Sequence, residues 1–130
     1  MRRVTQKEME NVWRLDGDAR FRRFVKGIAA AQAAWGLWED GWALLADDDG
    51  NQVFPLWPDR EYADACRIDG WQSYITKEVL LDDLLDDLLP RLHEQKIRIA
   101  VFPTPGGKDS PTIDGPSLAV AVREELTRYA

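Results

Sequence analysis

The segment that decides the fold runs from Trp38 to Cys66, WEDGWALLADDDGNQVFPLWPDREYADAC. Its apolar runs are short, and Glu39-Asp40-Gly41 and Asp47-Asp48-Asp49-Gly50-Asn51 separate them. Asp-Gly between β-rich runs signals a hairpin, because glycine accepts the positive φ that such turns need. With WGLW (35–38) before it, the segment predicts a three-stranded antiparallel meander built from WGLW, WALLA and QVFPLW. Pro55 has no N–H for a ladder, so its strand is expected at an edge or bulged there. Pro58 and Asp59 open a helix that places Tyr62, Ala63 and Cys66 on one face.

Toward the amino terminus the period becomes helical. Thr5 followed by Glu8 matches a capping box and predicts a short helix to about Leu15. After Leu15-Asp16-Gly17-Asp18, the run ARFRRFVKGIAAAQAAW (19–35) spaces Phe21, Phe24, Val25 and Ile28 along one face, with the arginines expected in water. Toward the carboxyl terminus, WQSYIT (71–76) reads as a short strand. KEVLLDDLLDDLLPRLHEQK (77–96) reads as a helix with an apolar stripe of Leu81, Leu84, Leu85, Leu88, Leu89 and Leu92. Pro90 within it predicts a kink or a restart. IRIAVF (97–102) has the alternation of a central strand, and a short strand is expected around Thr112 and Ile113. Pro116 then sits in the first turn of a last helix facing inward with Leu118, Val122, Leu126 and Tyr129. The sum is a single α+β domain over residues 1–130. Residues 1–18 form a helical extension, and residues 19–130 a core with a mainly antiparallel sheet covered by helices.

At 130 residues, 45% hydrophobic and 31% charged, the chain has the length and composition of one folded unit. Its six tryptophans, three tyrosines and four phenylalanines supply a large aromatic payload. A formal charge of −6 argues against nucleic-acid partners, whose phosphates need clustered Lys and Arg. Arg2, Arg3, Arg14, Arg20, Arg22, Arg23 and Lys26 are interspersed with Glu8, Glu10, Asp16 and Asp18, as on a solvated helical face. One cysteine, Cys66, excludes an intrachain disulfide. No apolar run approaches the roughly 20 residues that span a bilayer, and the amino terminus lacks a secretory signal pattern, so a cytoplasmic setting is expected and no membrane partner.

The motifs RFRRFVKGIA, WGLWEDGWALLADDDGNQVFPLWPDREYADAC and IAVFPTPGGK, in this order with an acidic leucine helix before the last, resemble the bacterial domain of unknown function family 2750. The resemblance runs from about Arg20 to Tyr129. More distantly, FPLWPDREYADAC followed by a strand, a leucine-rich helix and IAVFPTP resembles the core module of the SseB (enhanced serine sensitivity) family. Neither resemblance implies an activity; both imply a fold and a cytoplasmic bacterial setting.

No motif supplies recognisable catalysis, cofactor or metal chemistry. His93 is the only histidine. It reads as a helix-end residue, and Cys66 as a small buried hydrophobe, against the sharper alternative of a Cys66–His93 dyad. The acids of Asp47–Asp49 are consecutive, unlike the alternating ligands of a calcium loop, and read as a turn. Gly106-Gly107-Lys108-Asp109 lacks phosphate-loop spacing and reads as a hairpin tip. Trp42 is expected in the core. Trp38, Trp57 and Trp71 fall at strand ends near Asp59 and Tyr62, where either core closure or an aromatic crevice for a ligand or peptide would use them.

The preferred functional expectation is a non-enzymatic protein-interaction or regulatory module, binding a protein partner or itself through the aromatic edge or the acidic leucine helix. A small-molecule-binding or hydrolytic protein using the crevice is the alternative. An acidic immunity-type protein for a basic toxin is a particular version of the first.

Overall fold

A computed structural model describes residues 3–106 and 110–129. The chain runs α1 (Gln6–Trp13), α2 (Gly17–Ala31), β1 (Ala33–Trp38), β2 (Leu45–Ala46), β3 (Gln52–Leu56), α3 (Arg60–Ala65) and β4 (Ile75–Leu80). There follow α4 (Leu81–Asp83), which passes through a π-helical turn (Leu84–Leu88) into α5 (Leu89–Glu94), then β5 (Arg98–Val101), β6 (Thr112–Ile113) and α6 (Gly115–Leu126). This is the α+β architecture expected.

Local capping fixes the helix starts. Thr5 Oγ1 accepts the N–H of Glu8 at 3.1 Å, Asp16 Oδ1 that of Ala19 at 2.8 Å, and Asp114 Oδ1 that of Ser117 at 2.8 Å. The acidic leucine helix buries all six leucines of its stripe while its aspartates stay in water. Pro90 lies in the first turn of α5, where its missing N–H costs no bond. The amide of Leu89 instead reaches back to Leu84 O across the π turn. The expected restart is therefore a π-to-α junction.

Strand pairing departs from a simple meander. Both turns form: Gly50 (φ 80°) closes the second with Gly50 N–H on Asp47 O at 3.0 Å, and the first is reduced to a bridge between Trp38 and Trp42. The long partners lie elsewhere. β1 pairs antiparallel with β4, and β3 pairs parallel with β5 inside the order β2-β3-β5-β6. The two sheets meet where Trp35 and Trp57 exchange backbone hydrogen bonds at 2.9 Å in both directions. Pro55 fits at this join. Backbone groups two residues apart on a strand point the same way, so its nitrogen faces the side of Trp35, between the start of β2 at Leu45 and the Trp35–Trp57 bridge.

The helix expected from Lys77 begins only at Leu81. Lys77, Glu78, Val79 and Leu80 are strand residues opposite Gly36, Trp35, Ala34 and Ala33. The expected strand WQSYIT is correspondingly shifted, with Trp71 and Gln72 in a turn before it.

Phe24, Ile28, Leu37, Leu56, Trp57, Tyr62 and Phe102 form the fully buried centre, with α6 packed across α2 and α5. Tyr129 is 59% exposed and does not join its helix's inner face. Arg20 breaks the expectation of solvated arginines: it is 6% exposed and donates to Phe102 O at 3.2 Å and Leu15 O at 2.6 Å. These bonds tie the strained end of β5, where Phe102 holds φ 55°, to the start of α2. The hairpin tip anticipated at Gly107, Lys108 and Asp109 lies outside the described residues, as does Arg2.

Candidate functional site

Of the five residues singled out by sequence, Trp57 and Trp71 come into ring contact, while Asp59 and Trp38 border other surfaces. Trp57 and Tyr62 are wholly buried. The Trp57 indole donates Nε1–H to Pro103 O at 2.9 Å, and its ring meets Trp71 edge-on at 6.4 Å. The Tyr62 ring packs against Phe102 at 4.8 Å and Trp13 at 5.3 Å, and its hydroxyl donates to Glu8 Oε2 at 3.2 Å. Burial first, and the Glu8 carboxylate second, push the Tyr62 phenol up to about 12. Asp59 stands at the amino-terminal cap of α3 and faces a shallow groove with Arg23, Lys26 and Pro58. Trp71 borders a different cleft. Trp38 lies on the outer sheet, edge-to-face with Trp42 at 5.2 Å, with Lys77 Nζ 3.8 Å above its ring.

The cleft beside Trp71 has a volume of about 120 Å³, and Cys66, Asp69, Pro103 and Thr104 are in its wall. That is well below the roughly 300–1,000 Å³ of typical small-molecule sites. Its only thiol is not poised for attack. Cys66 Sγ donates to Pro103 O at 3.4 Å, and burial, against a smaller opposing effect of the Trp57 indole, pushes the thiol up to about 12. His93 is an exposed side chain of α5 and takes no part in the cleft wall, so the dyad does not form there. In the acidic loop Asp47 Oδ1 accepts the amides of Asp49 at 3.0 Å and Asn51 at 2.8 Å, the bonding of a turn. No group of three or more acidic, His or Cys side chains among the described residues is arranged to hold a metal ion.

The outer edge of β4 presents backbone hydrogen-bonding groups. The N–H and C=O of Trp35 point toward Trp57, so Trp35 and Glu78 form a pair without mutual backbone bonds in the β1–β4 ladder. Glu78 and its same-parity neighbour Thr76 therefore point their N–H and C=O away from β1. The amides of Lys77 and Val79 point toward it. Among the described residues β4 pairs only with β1, and no residue bonds the outward groups of Thr76 and Glu78. Ile75 and Leu80, at the two ends of this edge, are 58% and 55% exposed, while Val79 is buried. Asp82 and Asp83 follow immediately and are exposed.

Sequence reasoning missed this edge because Lys77 and Glu78 suit a helix surface as well as a strand. The available signal was β-branched Ile75, Thr76 and Val79, together with the absence of a capping side chain at Leu80.

Fold and surface thus define a small α+β protein with an aromatic interior and an open strand edge. The chain belongs to the family described as Protein of unknown function (DUF2750), whose model matches residues 21–112, from α2 to β6. No curated protein and no solved structure matches it. No helix among the described residues is long and apolar enough to cross a membrane.

Proposed function

We propose that the protein is a non-enzymatic interaction module that takes an extended segment of a partner protein onto the outer edge of β4. The observation that carries this reading is the outward N–H and C=O of Thr76 and Glu78, unpaired among the described residues and flanked by exposed Ile75 and Leu80. Such an edge is a ready template for strand addition, in which main-chain bonds supply affinity and alternate side chains supply specificity. The Trp38–Trp42 pair beneath Lys77 adds an aromatic shelf on one face. The raised thiol of Cys66 and the small cleft weigh against the hydrolytic alternative.

The test is Glu78→Pro. The Glu78 amide faces away from β1, so proline there removes an edge donor and leaves the Lys77 and Val79 bonds to β1 in place. Immobilised wild-type protein is expected to retain from native lysate a partner that folded Glu78→Pro loses. Equal recovery by both, with matching circular dichroism, refutes edge binding.

A further inference from the structure

Resting on that reading, we infer that the edge is made for a strand from outside the sheet of any second copy. The partner strand runs antiparallel, with a basic residue opposite Glu78 and an acidic residue directly after it opposite Lys77. Strand register decides which occupant fits. In an antiparallel ladder, opposed residues either both point their backbone groups at each other or both point them away. The outward residues of β4 are Thr76, Glu78 and, at its end, Leu80, so two copies meeting through a two-fold axis can oppose only residues of the same parity. A register centred on Lys77 sets it against the second copy's Lys77. One centred on Glu78 sets it against the second copy's Glu78. Both juxtapose like charges across the strands, which is destabilising, and the charge-complementary register between them is closed to a strand whose other edge is already bonded to β1.

A free segment has no such restriction, because both of its edges are open. It can place Lys or Arg opposite Glu78, Asp or Glu opposite Lys77, and apolar residues opposite Ile75 and Leu80. Read from the partner's amino terminus, the pattern is apolar, any, basic, acidic, any, apolar. The exposed carboxylates of Asp82 and Asp83, just beyond Leu80, extend negative potential at the end where the basic residue approaches. Lys77 already stacks on Trp38, and the opposing acid approaches the same exposed ammonium from the open side.

The pattern matches the sequence of β4 itself, Ile-Thr-Lys-Glu-Val-Leu. A capped peptide of that sequence is therefore the probe. Titrated into the intact protein and followed by amide shifts, it is expected to bind at Thr76 and Glu78 while light scattering shows the protein itself monomeric. A peptide with Lys and Glu exchanged should bind about tenfold more weakly, and the double variant Lys77→Glu, Glu78→Lys should restore it. Equal affinity of the two peptides, or no binding of either, overturns the inferred pattern. A dimer abolished by Glu78→Pro overturns the choice of occupant. If the peptides fail while a lysate partner is still lost on Glu78→Pro, edge binding stands and only the pattern falls.

Discussion

The indole Nε1–H of Trp57 donates to the carbonyl oxygen of Pro103 at 2.9 Å, tying the end of β3 to the segment that leaves β5. The Cys66 thiol bonds the same oxygen at 3.4 Å, so α3 is held to the same point. These contacts make the LWPDREY corner a structural joint. Trp57→Phe should lower the unfolding free energy by about 1–3 kcal/mol, because a buried acceptor loses its better donor. Urea denaturation checks this, and binding at the β4 edge should be unaffected.

Alkaline pH should destabilise the protein in a defined window. The Cys66 thiol is raised from 9.0 to about 12 and the Tyr62 phenol from 10.0 to about 12. Both groups stay protonated in the folded state while the unfolded chain releases protons. Stability is therefore full below about pH 9 and falls as pH rises toward 12. Thermal melts across that range test this, and Cys66→Ala should remove the part of the decline that begins near pH 9. Ellman's reagent should react with the thiol only after unfolding.

Asp114 provides an acid-side counterpart. Its carboxylate accepts the Ser117 amide at 2.8 Å and hydroxyl at 2.9 Å, which holds its carboxyl below the usual 3.8. Its capping contribution is present above pH 3.8 and is lost as pH falls through the lower folded value. Asp114→Ala should cost about 0.5–2 kcal/mol at neutral pH by urea denaturation, and much less in acid.

Gly36 supports the aromatic shelf by leaving room for it. A Cβ at this position would lie 2.9 Å from Cζ3 of Trp42. Gly36→Ala should displace that ring from β1, cost about 1–3 kcal/mol and shift the tryptophan emission. Unchanged emission and stability would show that the Trp38–Trp42 pair does not depend on this contact.

What the sequence made legible was local. Leucine periodicity located the buried stripe of α4 and α5, Pro90 located the helix junction, and Thr5 and Pro58 located helix starts, because each acts through neighbours a few residues away. The pairing of β1 with β4, and the parallel pairing of β3 with β5, join segments distant in the chain, and alternation alone names no partner. Arg20 was misplaced for the same reason. Its burial depends on Phe102, 82 residues later, whose left-handed carbonyl it satisfies. Of the candidate site, Trp38 was found beside the open edge, whereas Trp57 and Tyr62 turned out to close the core. The edge itself was hidden by Lys77 and Glu78, which fit either helix or strand.

Amide hydrogen exchange along β4 reads the open edge residue by residue, because alternate amides answer to different partners. In the free protein Lys77 and Val79, bonded to β1, should exchange slowly, while Thr76 and Glu78 exchange fast; on binding an extended partner, Thr76 and Glu78 should become protected. Slow exchange of Thr76 and Glu78 in the free monomer, or no gain in their protection on binding, would show that β4 does not offer an open edge to a partner strand.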